Sequence, residues 1–327
     1  MITEFSVDKA FFESPLLHDQ SLSLVHDFIT RSWIETGALV IPKGSRDTLL
    51  ELIKGLPEKF QQRWFNAIEY GIKREVEREW WSFGNYETFE EVCRLNDLFK
   101  TAFAEESVAY VFSESEDLKR ACGTTGFEVL SAGVCSESEN LRKSVDLAKA
   151  DITHPQTAND VWIQRLKPLA KYSKKILIVD RYFFANVQDA VIKQKNDDSM
   201  KNFFVFLADL GTQHHIKIIS HGDVKNSPLH AAVHGRFFNQ IALVPALKKA
   251  VSSLTLISAQ EEFFRDDAHD RFIGFDKHIC QIGNGMRVLG SSPLPRSTFA
   301  AKFDYAGELS SRESRSRQFT LWKEEII

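Results

Sequence analysis

Apolar and polar positions repeat with two different periods along this chain, and the change of period divides it. Across residues 58–81 the apolar positions Phe60, Trp64, Ile68, Ile72, Val76 and Trp80 recur every four residues. That spacing predicts one long amphipathic helix with its aromatics in a core. An amphipathic stretch opens the chain, residues 38–42 read as a strand, and 46–56 as a helix. Beyond the long helix the pattern predicts a helix at 87–105, a strand at 108–112, a short helix at 116–122, a strand at 127–130 and a helix at 141–150.

In the second half the signal changes to short β-branched runs. Residues 176–180 (Ile-Leu-Ile-Val-Asp), 216–221 and 254–258 read as buried strands of a mostly parallel sheet, separated by helices at about 188–210 and 228–252. Shorter strands follow at 272–275, 278–282 and 318–322. Polar stretches at 135–140 and 151–157 bracket the helix at 141–150, which places the junction between about 135 and 160. The expected architecture is α/β: an N-terminal α/β domain over 1–150 and a C-terminal α/β domain over 151–327 with a mostly parallel mixed sheet.

Composition adds constraints to this picture. With 43% hydrophobic and 26% charged residues among 327, the chain matches soluble globular proteins and not disordered or collagenous ones. No apolar run reaches the roughly 18 residues that span a bilayer, and acids stand early in the chain where a signal peptide needs a basic region, so a cytoplasmic protein is expected. Four cysteines without a CxxC spacing predict free thiols and neither a zinc ribbon nor a disulfide scaffold. The net charge of −4 divides unequally: residues 1–150 carry 17 Lys and Arg against 26 Asp and Glu, and 151–327 carry 24 against 19. Eight of the ten histidines also lie after residue 150. The basic, histidine-rich half is expected to meet a phosphate-bearing ligand, and the acidic half offers a surface for a partner protein.

The chemistry-bearing pattern is His269-Asp270-Arg271, four residues, Asp276, six residues, then Gly283-Asn284-Gly285. On an extended strand positions i and i+2 share a face, so His269 and Arg271 can present a nucleophilic imidazole and a phosphate-neutralising cation together. An acid, Asp270 or Asp276, would orient the imidazole, and a glycine turn lets backbone N–H groups approach an anion. Asp180 and His221 close two of the strands, and ligands in open α/β sheets gather at carboxyl strand ends. Arg181 adjoins Asp180. The pattern resembles the H-x-K-x4-D-x6-G-S motif of the phospholipase D superfamily, with arginine in place of lysine. A closer resemblance is to the phospholipase D-like domain at the C-terminus of MIT-domain proteins and to its bacterial relatives. It is carried, over about residues 160–327, by Asp180-Arg181-Tyr182, His269-Asp270-Arg271, Gly283-Asn284-Gly285 and Arg317-Gln318-Phe319-Thr320, in that order.

Blander readings stand beside these. A lone His-Asp-Arg tripeptide is ordinarily a hydrogen-bonded structural histidine, and Asp180 at a strand end can simply cap a turn. His214-His215 read as solvated turn residues. His230 and His234 have the i, i+4 spacing of a metal pair without an HExxH context, so no metal site is assigned. Arg312, Arg315, Arg317 and Lys323 read as a solvated face, or else a phosphate-binding rim.

The resemblance implies a metal-independent and cofactor-free phosphodiesterase, foremost a nuclease of anti-phage defence, with His269 as nucleophile and Arg271, Asp180, Arg181, His221 and the Gly283–Gly285 turn around the phosphate. That chemistry uses two histidines, and a single motif is completed by homodimerisation. Arginine in the lysine position favours binding over turnover. The alternative expectation is therefore a non-catalytic dimer that binds nucleic acid or anionic lipid phosphates. A third leaves the effector role to the acidic N-terminal region.

Overall fold

A computed structural model describes residues 1–80, 82–113, 125–192, 198–266, 271–290 and 293–327. The chain is an α/β protein that divides into two compact units, residues 2–146 and residues 147–327 together with Met1.

In the first unit Thr3–Val7 (β1), Gly37–Pro42 (β2), Ile72–Val76 (β3), Thr101–Phe103 (β4) and Glu128–Leu130 (β5) form a sheet in the order β3-β2-β1-β4-β5. Every pairing in it is parallel. The expected helix at 58–81 is two elements. A helix runs from Glu58 to Tyr70, Gly71 follows, and β3 then pairs with β2. Ile72 and Val76 stand four apart, a spacing that also fits alternation on a strand, so the helical period was fulfilled by both. Gly71 has no room for a side chain, since a Cβ would lie 2.6 Å from the Trp33 ring nitrogen and from the Ala67 carbonyl. The expected strand at 108–112 lies inside the helix Glu106–Ser113, and β4 lies inside the expected helix at 87–105. The expected helix at 116–122 falls outside the described residues. The helices Ser23–Thr36 and Glu58–Tyr70 pack together through His26, which is buried, stacks on Phe60 at 3.8 Å and accepts the Trp64 indole N–H on Nδ1 at 2.9 Å.

In the second unit Lys175–Val179 (β6), His214–His221 (β7) and Val251–Ala259 (β8) form the parallel centre of a mixed sheet. Phe272–Phe275 (β9), His278–Ile282 (β10), Phe299–Phe303 (β11) and Thr320–Glu325 (β12) add antiparallel flanks, giving the order β11-β10-β9-β6-β7-β8-β12. Parallel pairing is thus confined to three strands. Leu177, Val179, Ile219 and Ile257 pack on one face under Phe263, Phe264 and Leu309. Ile176, Ile178, Ile216 and Ile218 alternate with them and are buried on the other face, each such side chain stabilising the fold by about 1.5–3 kcal/mol. On that second face Trp322 stacks on Phe184 at 5.4 Å. The expected helix at 188–210 is observed as Phe183–Ile192 and Ser199–Ala208. The one at 228–252 is observed as Pro228–Phe237, continued as a π-helix over Phe238–Ala242, and Pro245–Lys248, ending just before β8. Pro245 removes a backbone donor and so starts a new helix instead of continuing the old one. His214-His215 open β7, and His214 is fully buried between the Ser173 carbonyl and Thr212, so it is no solvated turn residue.

Candidate functional site

The register of the second sheet decides which candidates meet. Val179 pairs with Phe272 across β6 and β9, so Asp180 and Arg271 follow as neighbours at the carboxyl end of β6. Asp180 is 2% exposed. Its Oδ1 accepts the Tyr182 N–H and its Oδ2 the Met286 N–H, each at 3.0 Å. Burial pushes its carboxyl above the usual carboxylate range, against the opposing pull of those N–H groups and of the Arg271 and Arg287 charges.

Gly285 makes this approach possible. Its φ is +54°, and a Cβ there would stand 1.9 Å from Asp180 Oδ2 and 2.9 Å from Arg271 Cδ. The turn does not offer the Gly283 and Asn284 amides to a ligand in the way expected from sequence. Gly283 N–H donates to the Thr298 carbonyl at 3.0 Å, Asn284 N–H to Ser297 Oγ at 3.0 Å, and Met286 N–H to Asp180. The Asn284 side-chain amide donates to the Arg296 carbonyl at 2.7 Å. Gly283 and Asn284 therefore hold the turn on the segment leading into β11, and their N–H groups are spent within the protein.

Arg271 lines a pocket of about 360 Å³ with Gln281, Ile282, Gly283, Thr298, Phe299 and Ala300, and its guanidinium lies 4.8 Å from the centre of the Tyr182 ring. Arg181 follows Asp180 in the turn after β6. Its guanidinium pairs with Glu261 and lies 5.2 Å from the same Tyr182 ring. His221 closes β7, its N–H donates to the Arg181 carbonyl at 3.2 Å, and its Nε2 stands 3.6 Å from Glu261 Oε2. The predicted neighbours thus form two groups at one end of the sheet, Asp180 with Arg271 and Gly285, and Arg181 with His221. Tyr182 touches a cation of each.

Asp276 belongs to neither. It sits at φ +47° in the turn between β9 and β10, where its carboxylate accepts the N–H groups of Lys174 and Lys175 at the start of β6. Five residue steps of extended chain, about 16 Å, separate it from Arg271. In this chain the Asp276 carboxylate caps that turn, away from Arg271. His269 and Asp270 lie outside the described residues.

Sequence reasoning missed Glu261, Arg287, Thr298 and the placement of Tyr182. Glu261 and Arg287 carry no signal beyond ordinary surface charge, because only the sheet register brings them to this end. Arg317 and Thr320 stand where β12 begins, with Thr320 opposite Ala259 at the same end of the sheet. The spaced pair His230 and His234 faces Glu324 of β12, at 3.0 and 3.8 Å. The Asn226 N–H points at His230 Nδ1 at 3.2 Å, which leaves the proton on Nε2, toward the carboxylate, and argues against that nitrogen binding a metal. Among the described residues no group of three or more His, Cys, Asp or Glu is placed to hold a metal ion, and no helix is long and apolar enough to cross a membrane.

In the first unit Asp8 follows β1 and is 1% exposed, accepting the N–H groups of Phe83 at 2.7 Å and Ala10 at 3.2 Å. Burial raises its pKa as well. The sequence offered core positions in this unit and no candidate for a functional site.

No family model and no curated protein matches the chain. Among solved structures the chain is similar to TrmBL2, an archaeal chromatin protein described as showing a novel mode of DNA binding, at 12% identity and a TM-score of 0.24. The match covers 63% of this chain and 66% of that one, so the chain spans just under two thirds of that protein's length. A likeness of that degree carries no argument about fold or function.

Proposed function

We propose that the C-terminal unit is a phosphodiester-binding domain of the phospholipase D-like type, with nucleic acid as its ligand and Arg271 as the phosphate clamp. The observation that carries this reading is Arg271 itself. Its side chain lines the pocket, lies against Tyr182 and adjoins a buried carboxylate that fixes the neighbouring backbone. A guanidinium held in this way binds a phosphate with little further loss of side-chain freedom.

Hydrolysis is the second reading, favoured by the position of His269 two residues before Arg271. In it His269 attacks phosphorus, and a second copy of the chain supplies the histidine that protonates the leaving oxygen. The two readings separate in one experiment with purified protein, labelled single- and double-stranded DNA and excess EDTA. Binding that weakens with salt, that Arg271→Ala reduces about tenfold or more, and that yields no product under any condition supports the binding domain. Product that persists in EDTA and disappears with His269→Ala supports the enzyme. Sedimentation as a strict monomer removes the two-copy mechanism, and DNA binding that Arg271→Ala leaves unchanged removes the clamp.

A further inference from the structure

We infer a second anion subsite beside the Arg271 pocket, formed by Arg181 and His221 and occupied in the free protein by the carboxylate of Glu261, so that the ligand is a strand with successive phosphates. This inference rests on the phosphodiester-binding reading above and goes beyond it by naming how many phosphates are engaged.

Both guanidinium groups lie against one ring. Arg181 is 5.2 Å and Arg271 4.8 Å from the Tyr182 centroid, so the two charges are separated by no more than the sum of these, about 10 Å. That separation suits neighbouring phosphates of one polynucleotide strand. A lipid headgroup with a single phosphodiester would use one of the two cations and leave the other idle. Tyr182 is 44% exposed, which leaves part of its ring for a sugar or base between the phosphates.

The second cation is covered by a group that can leave. Glu261 reaches Arg181 with Oε1 and His221 with Oε2, one carboxylate oxygen to each, as two oxygens of a phosphate would. The three side chains are between 38 and 44% exposed, and ion pairs at such exposure hold little free energy. An incoming phosphate can displace the carboxylate into solvent, since Glu261 is the first residue of the helix Glu261–Asp266 and its side chain is 38% exposed. Asp180 is not exchangeable in this sense, because it is buried and holds two backbone N–H groups. The two carboxylates at this end of the sheet therefore differ in role: Asp180 is a fixed part of the scaffold, and Glu261 is a resident counter-ion.

The test compares thymidine 5′-monophosphate with the dinucleotide pTpT, titrated into the full chain at fixed salt. The wild type is expected to bind pTpT about tenfold or more tightly than the monophosphate, the gain of one charge-assisted contact. Arg181→Ala should bring the two affinities together, and Glu261→Gln should widen the gap by removing the competing carboxylate. Arg271→Ala should weaken both ligands. Far-UV circular dichroism and Arg181→Lys, which should restore part of the gap, separate a lost contact from a lost fold. Equal binding of the two ligands by the wild type, or an unchanged gap in both Arg181→Ala and Glu261→Gln, overturns the second subsite while an Arg271 effect keeps the first. Loss of the Arg271 effect itself overturns the parent reading. Binding of phosphatidylserine vesicles that depends on Arg181, with no preference for pTpT, overturns the strand assignment.

Discussion

At the scale of single residues the site depends on how closely a glycine lets two charged groups approach. Gly285→Ala places a Cβ 1.9 Å from Asp180 Oδ2 in a left-handed conformation, so either the carboxylate or the turn must move. We expect a loss of about 3 kcal/mol in urea unfolding together with weakened ligand binding. Gly283→Ala should cost less, because the nearest atom, at 2.5 Å, is the rotatable hydroxyl of Thr298. Asp180 makes a pH prediction. Burial raises its native pKa above the unfolded value of 3.8, so the native state keeps a proton that the unfolded chain has released. Its contribution to stability therefore falls as pH climbs from 3.8 through the raised native value. Asp180→Asn should flatten that part of the stability curve above pH 3.8, at a fixed cost of about 1–3 kcal/mol for the N–H group that loses its acceptor. Urea midpoints measured across that range decide it, and curves of wild type and variant that run parallel would count against the assignment. At this scale the sequence made Asp180, Arg271 and Gly285 legible, since a strand-end acid and a glycine turn have spacing signatures. It gave no sign that Asp276 caps the turn between β9 and β10, because a turn-capping aspartate and an imidazole-orienting one look alike until the strand is laid out.

Elements were readable where the apolar pattern allowed one interpretation. Residues 176–179, 216–220 and 254–258 are β-branched runs, and they form the parallel centre of the second sheet. Ile72 and Val76 satisfied two periods at once, and pairing with β2 made them a strand. Residues 108–112 carry β-formers, yet they lie in the helix Glu106–Ser113, where tertiary packing outweighs a weak local preference. The pairing of the helices Ser23–Thr36 and Glu58–Tyr70 gives a second pH prediction. His26 is held neutral by burial, with its pKa lowered to about 4, Nδ1 accepting from Trp64 and Nε2 donating to the Leu17 carbonyl. A histidine with a lowered native pKa contributes stability above pH 6.5 that is lost as pH falls toward 4, here up to about 3 kcal/mol. Unfolding of the N-terminal unit followed by tryptophan fluorescence should show that loss, and His26→Gln should remove much of the pH dependence while lowering stability at pH 7.

For the whole molecule the two compact units allow a prediction from chain connectivity. A fragment of residues 147–327 should fold, give a cooperative thermal transition and keep the Arg271-dependent binding proposed for the full chain, because the pocket residues and both sheet edges lie within it. A fragment that is unfolded by circular dichroism would show that residues 1–146, which include Met1 of this unit, are needed for its stability. The amino-acid sequence by itself determined the α/β class, the strands of the second sheet's centre and the residue types that can meet a phosphate. Those follow from local periodicity and local chemistry, which are written along the chain. The tertiary structure alone decided that Arg181 and His221 face Glu261 while Asp180 and Arg271 face the glycine turn. It also decided that Asp276 stands at the far end of a strand and that the Gly283 and Asn284 amides are already engaged. Each of these depends on strand register and on which face a side chain takes, and a shift of one residue in register would reverse them all.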